Sequence, residues 1–344
     1  MSYVKTFESS SLTKEEYQHA LGYLCIERNY YYIFTKHYNL KTFPLFYLDR
    51  FIGWKFAGGS QPLLSVYDGF GEMLDKYVRR EEMFSLENFK NVLLNLFQDE
   101  KKMLVNFWTK NKMGIPFVTS LMLEGMDEGD TVFFTKINED NNAICSPIKY
   151  SELVENIDIE IPNEIELTII DKAPIIRELA NMNPYNAFQF IFKEIYGYSI
   201  IKGELYKRNE KISLKTDGVK ELINYFKGAY TELVQDGAIS KPNQFKLNKH
   251  IHNRFQPIQY YLGYLLKTDE LSTKMSSGLK EQIQIEIENM EKALNTVLKF
   301  ASLFVIKPTT ANFDLYLNAL NGLQDTIPSY QNIQLDIIKE LVTE

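Results

Sequence analysis

Histidine and cysteine are scarce in this 344-residue chain, which holds four of the first and two of the second. The cysteines, Cys25 and Cys145, form no CxxC pair and are too few for a disulfide framework, which fits a reducing, cytoplasmic setting. No His lies between His37 and His250, so more than half of the chain supplies no imidazole base. Gly58-Gly59-Ser60 lacks the phosphate-binding pattern GxxxxGK[ST], and there is no GxGxxG, so no nucleotide cofactor is expected. Apolar runs such as Ala301–Ile306 are far too short to cross a bilayer. The segment MSYVKTFESSS has no apolar h-region, and no signal peptide is expected. A net charge of −7 argues against general nucleic-acid or anionic-membrane binding. There is no internal repeat and no low-complexity tract.

Apolar residues are present in ordinary globular proportion, at 45%. Aromatics are abundant, with 23 Phe and 22 Tyr, so many Tyr rings must be partly buried with the hydroxyl reaching a partner or water. The first half reads as helices and then strands. Thr13-Lys14-Glu15-Glu16 has capping-box form. Gly69–Val78 reads as a helix, and Ser85 caps another through Phe97. Strands are expected at Leu63–Tyr67, Met103–Trp108, Pro116–Leu123, Thr131–Ile137, Ala143–Ser146 and Glu164–Ile170. The acids and glycines of 124–130 form the turn between the third and fourth of these. Tyr150–Asn156 is a short helix. Residues 172–212 read as a mixed connector with a short helix at Phe188–Tyr196. Beyond Lys215 helical apolar spacing takes over at Gly218–Leu233, Phe255–Leu266, Gly278–Phe304 and Thr310–Thr343, a bundle. Asn243, Pro257, Lys307-Pro308 and Pro328 read as interruptions between or within these helices. The fold class is α+β.

The stretch CIERNYYYIFTKHYNL, Cys25 to Leu40, carries the most chemistry. Ile26, Tyr30, Ile33 and His37 recur at helical spacing. Gly22 can end the preceding turn, which puts Cys25 in the first turn of a new helix. There the free N–H groups and the helix dipole favour a thiolate. Two readings stay open: a nucleophile, or a small buried hydrophobe. A nucleophile needs a base within reach. His37 is twelve residues on, about 18 Å along one helix at 1.5 Å per residue, and only a chain break at Gly22 could bring His19 back.

The remaining constellations are weaker. His250-Ile251-His252 shares a face only on a strand. Its neighbours are basic and no carboxylate or Cys completes a set, so no metal is expected. Lys246, Lys249, His250 and Arg254 form a basic cluster that suits either a solvated face or a phosphate-bearing or acidic partner. Asp127/Asp130 and Glu286/Glu288 read as turn acids and a solvated helix face. Cys145, before a Ser-Pro turn, reads as packing.

Three segments together resemble the butirosin-acyltransferase-like family: CIERNYYYIFTKHYNL, PFVTSLMLEGMDEGDTVFF and SPIKYSELVEN. The C-terminal ALNTVLKFASLF, LYLNALNGLQDTI and IIKELV also look like that family's helical tail. The resemblance implies a papain-like, cysteine-peptidase-type domain over residues 1–172, a connector over 173–212 and an all-α helical domain over 213–344. It implies Cys25 as the nucleophile position. It further implies acyl or aminoacyl transfer, or amide formation, with a carrier protein or small-molecule substrate in natural-product assembly. Where the family has its catalytic His, this chain offers Phe117, Val118 or Thr119; where an Asp orients that His, it has Cys145 or Ser146. The alternative expectation is therefore a degenerate relative that binds a partner or ligand without chemistry.

Overall fold

A computed structural model describes residues 25–52, 54–57, 63–66, 69–99, 101–110, 116–137, 143–159, 161–170, 174–214, 217–235, 237–239 and 241–342. Capping-box residues 13–16 and His19 lie outside them. The chain divides into two compact units, Met1–Lys41 with Glu72–Ala180, and Thr42–Gly71 with Asn181–Glu344. The first holds the large sheet and the second the long helices, so the mixed α+β class is observed.

In the first unit, helix α1 (Cys25–Tyr32) continues into a π-helical turn at Ile33–His37, closed by the Tyr38 N–H on the Ile33 carbonyl at 3.1 Å. Asn39 then takes a positive φ of 55°, a conformation Asn tolerates better than most residues. The sheet is built from β1 (Arg79–Ser85), β2 (Lys102–Lys110), β3 (Pro116–Met126), β4 (Thr131–Ile137), β5 (Ala143–Lys149) and β6 (Glu164–Ile170). All pairings are antiparallel, in the order β1-β6-β2-β3-β4-β5. Helix α2 (Phe89–Gln98) follows β1 and helix α3 (Tyr150–Asn156) follows β5.

Alternation explains which face each strand buries. In β6, Ile165, Leu167 and Ile169 are buried while Glu164 and Glu166 are exposed. The same face takes Met103, Val105, Leu121 and Leu123, and Phe89, Leu93 and Phe97 of α2 cover it. β1, with sequence RREEMFS, escapes the sequence reading because its charges mask the period. It is an edge strand with no fully buried residue, and edge strands tolerate and use charge. The expected turn over 124–130 shrinks to 127–130. The strand runs through Met126, the Asp127 carboxylate accepts the Thr131 N–H at 2.7 Å, and Asp130 carries φ 59°.

In the second unit, helices α4 (Lys241–Lys267), α5 (Ser277–Ile306) and α6 (Thr310–Leu341) dominate. Neither Asn243, Pro257 nor Pro328 ends its helix, contrary to the sequence reading. A mid-helix Pro costs about 3 kcal/mol. Burial of Phe255, Ile258 and Tyr261 around Pro257, and of Ile327 and Tyr330 around Pro328, outweighs that local cost. Ser276 and Thr309 cap α5 and α6 by accepting the N–H groups of Leu279 and Asn312. The expected connector holds an unforeseen ladder, Tyr198–Ile201 with Glu204–Lys207, turned at Lys202 and Gly203, both at positive φ.

Replacing Leu167 by Ala removes a fully buried side chain from the sheet's core. The expected loss is about 2–5 kcal/mol, read as a lower denaturant midpoint for the transition of the sheet-bearing unit.

Candidate functional site

The face of the sheet opposite α2 and α3 carries the buried side-chain hydrogen bonds and the ion pair described below. Helix α1 packs on β3, and the buried Asn29 donates from Nδ2 to the Ser120 carbonyl oxygen at 3.0 Å. One residue on, Tyr30 is buried, and its hydroxyl accepts from Arg79 Nη1 at 3.4 Å. Arg79 also pairs with Asp75. Burial pushes the Tyr30 phenol pKa up, and the guanidinium only partly opposes it, so this hydroxyl stays protonated at neutral pH.

The centre of this face is Glu124, which sequence reasoning placed in a turn. A bulge between Leu123 and Gly125 breaks the alternation of β3. The bulge returns Met126 to the apolar core with Leu123, while Glu124, next after Leu123, faces the other side by simple alternation. There its carboxylate is almost fully buried and fully engaged. Oε2 accepts from Lys102 Nζ at 2.8 Å, and Oε1 accepts from Thr135 Oγ1 at 2.9 Å. Two charges withdrawn from water persist only when paired and hydrogen-bonded, as these are. Cys145 stands opposite Thr135 in the neighbouring strand and is half-buried. Burial raises its thiol pKa, and the Glu124 charge raises it further, so the carboxylate suppresses the thiolate instead of activating it. The Ser120 hydroxyl oxygen, also on β3, is buried with no hydrogen-bond partner.

The residues marked out by the sequence are dispersed. Cys25 is the first described residue of α1, one helical turn before Asn29, and its side chain lies outside the described structure. His37 lies in the π turn, and its ring too is outside the description. Val118 is half-buried beside the Trp108 position, and Thr119 is buried opposite Phe107 on the core face. Neither they nor Ser146 is an acid or base at neutral pH. His250 and His252 fall within helix α4, where two residues turn the direction by about 200°, so the strand geometry that a shared face requires is not available. Lys246, Lys249 and Arg254 share that helix. Glu286 is not on a solvated face: it is 2% exposed, whereas Glu288 is exposed and bonded to Gln284. The missed residue, Glu124, left one sequence signal, an acid directly after the apolar run Leu121-Met122-Leu123 and two places before Met126.

No protein-family model matches the chain, and no curated protein matches it.

Two outcomes test the site. Glu124→Ala leaves a largely buried ammonium without its counter-charge, and the expected cost is about 3 kcal/mol; Glu124→Leu with Lys102→Met recovers most of it in the same denaturation assay. In protein carrying Cys25→Ser, the alkylation rate of Cys145 should inflect above the free-Cys value of about 8.5. Glu124→Gln, by removing one of the two causes, should move that inflection down.

Proposed function

We propose that this chain is a catalytically silent relative of the butirosin-acyltransferase-like, papain-type proteins, and that it holds an acyl- or aminoacyl-bearing pantetheine arm of a carrier protein without turning it over. The order of elements supports the likeness: a helix that carries Cys25 lies on the long strand β3, followed by a paired strand, a further strand and the helix Tyr150–Asn156. The observation that carries the silent reading is the state of the acid on that sheet face. Glu124 is the one carboxylate buried there among the described residues, and Lys102 and Thr135 occupy its oxygens. An acid so held is committed to a lysine and a threonine within the sheet, and the strand offers no imidazole to orient.

A cysteine is the nucleophile least dependent on a base, so the rival reading is acyl transfer through Cys25. One probe separates the two. Protein carrying Cys145→Ser is titrated with an acyl-pantetheine thioester and followed by calorimetry and intact mass. Saturable binding, equal in Cys25→Ala, with no acyl adduct is expected. Iodoacetamide alkylation of Cys25 should inflect near or above about pH 8.5. An acyl adduct on Cys25, with an inflection below about pH 7, establishes the enzyme reading instead. Absence of binding removes the carrier-arm proposal.

A further inference from the structure

Helices α5 and α6 form an antiparallel hairpin whose register is fixed at both ends. Ser276 donates its N–H and its hydroxyl to Glu340 at 2.6 and 2.8 Å, and the Phe304 and Phe313 rings meet with centroids 4.9 Å apart near the turn. Between these ties the pair opens a groove of about 530 Å³, within the range of small-molecule pockets, about 300–1,000 Å³.

The residue at one end of the groove is anomalous. Glu286 is 2% exposed, and its carboxylate accepts a single hydrogen bond, Ser329 Oγ to Oε2 at 2.6 Å. Oε1 is buried with no partner at all. Among the described residues no cation forms an ion pair with it, although Lys292 and a second acid, Asp325, also line the groove. A buried carboxylate with an orphaned oxygen is costly, because it forfeits its hydration for one hydrogen bond. Burial accordingly raises the proton affinity of this carboxyl, with Ser329 opposing. An ammonium brought against Oε1 supplies the counter-charge and the missing donor together.

The walls suit the rest of such a ligand. Ala293 and Gly322 keep the middle wide, and Phe300 and Leu315 give apolar surface at the other end. Gly322 sits inside helix α6, where Gly is about 0.5–1 kcal/mol worse than Ala, yet a Cβ built there meets nothing within 4 Å. Packing does not demand the glycine. Its effect is to leave the groove open.

We propose that the groove between α5 and α6 binds a small molecule bearing a primary ammonium and a short apolar body, with the ammonium on Glu286 Oε1 and the body directed toward Ala293 and Gly322.

The test is calorimetric titration of the full chain with ethylamine, hexylamine and phenethylamine, each against its alcohol counterpart. Saturable binding of hexylamine or phenethylamine, at least about tenfold tighter than the matching alcohol, is expected. Glu286→Gln, which keeps the shape, should weaken the amine about tenfold or more and leave the alcohol unchanged. Gly322→Leu, which the open space accommodates, should abolish binding of both while far-UV dichroism stays native. No saturable binding by any of the three amines overturns the proposal. So does equal binding of amine and alcohol, or amine binding unaffected by Glu286→Gln.

Discussion

The first unit depends on a demand placed on one strand, Pro116–Met126, which must bury residues on both its faces. On one side it contributes Leu121, Leu123 and Met126 to a core closed by Phe89, Leu93 and Phe97. On the other it lies under the helix of Cys25 and receives the Asn29 amide. A regular strand of this length would send Met126 to the second face. The bulge at Glu124 corrects the phase, while Glu124 itself, next to Leu123, lies on the second face in a site nearly closed to water. The Lys102 ammonium and the Thr135 hydroxyl follow from that placement, since a buried charge without partners is not tolerated. The polar cluster is thus a consequence of register, and its closed hydrogen bonding argues for a structural ion pair more than for a working acid.

The second unit meets a different demand. The segment Thr42–Ile52, mostly apolar but including Asp49 and Arg50, is largely buried and lies in a 3₁₀ turn and loop, so its carbonyls cannot all bond within a regular ladder. Side chains supply the deficit. Gln331 donates to the Phe51 carbonyl, Gln334 to that of Leu48 and to the Tyr261 hydroxyl, and Tyr196 to the Phe46 carbonyl. Two glutamines and a tyrosine thereby let irregular backbone sit in an interior. Several tyrosines behave as the composition suggested, with the ring buried and the hydroxyl on a defined acceptor or donor.

What was legible in the sequence follows from how local each determinant is. Thr131–Ile137, Glu164–Ile170 and Tyr150–Asn156 are found at the bounds that alternation and helical spacing set. The long C-terminal helices are equally plain, because their apolar stripes persist for thirty residues or so. Arg79–Ser85 was not legible, because an edge strand needs little apolar pattern and its partner, Glu164–Ile170, lies some eighty residues away. Pro257 misled in the opposite sense: tertiary burial overrode a local breaker. The helix of Cys25 was legible as far as its face, but the π turn at its end was not, since one extra residue per turn leaves no compositional trace.

The chemistry was less legible than the fold, for a physical reason. An acid in a sequence carries no mark of its solvation. Glu124 read as a turn residue and Glu286 as a solvated one, yet both are buried, and they differ in what surrounds them. Glu124 has both oxygens occupied, so its charge is spent within the sheet. Glu286 has one oxygen occupied and one orphaned beside a groove that a glycine keeps open. Burial alone does not distinguish a structural acid from one that awaits a ligand. The count of donors on its two oxygens does, and of these two acids it is Glu286, between α5 and α6, that has an oxygen unmet, while Glu124 on the sheet face has none.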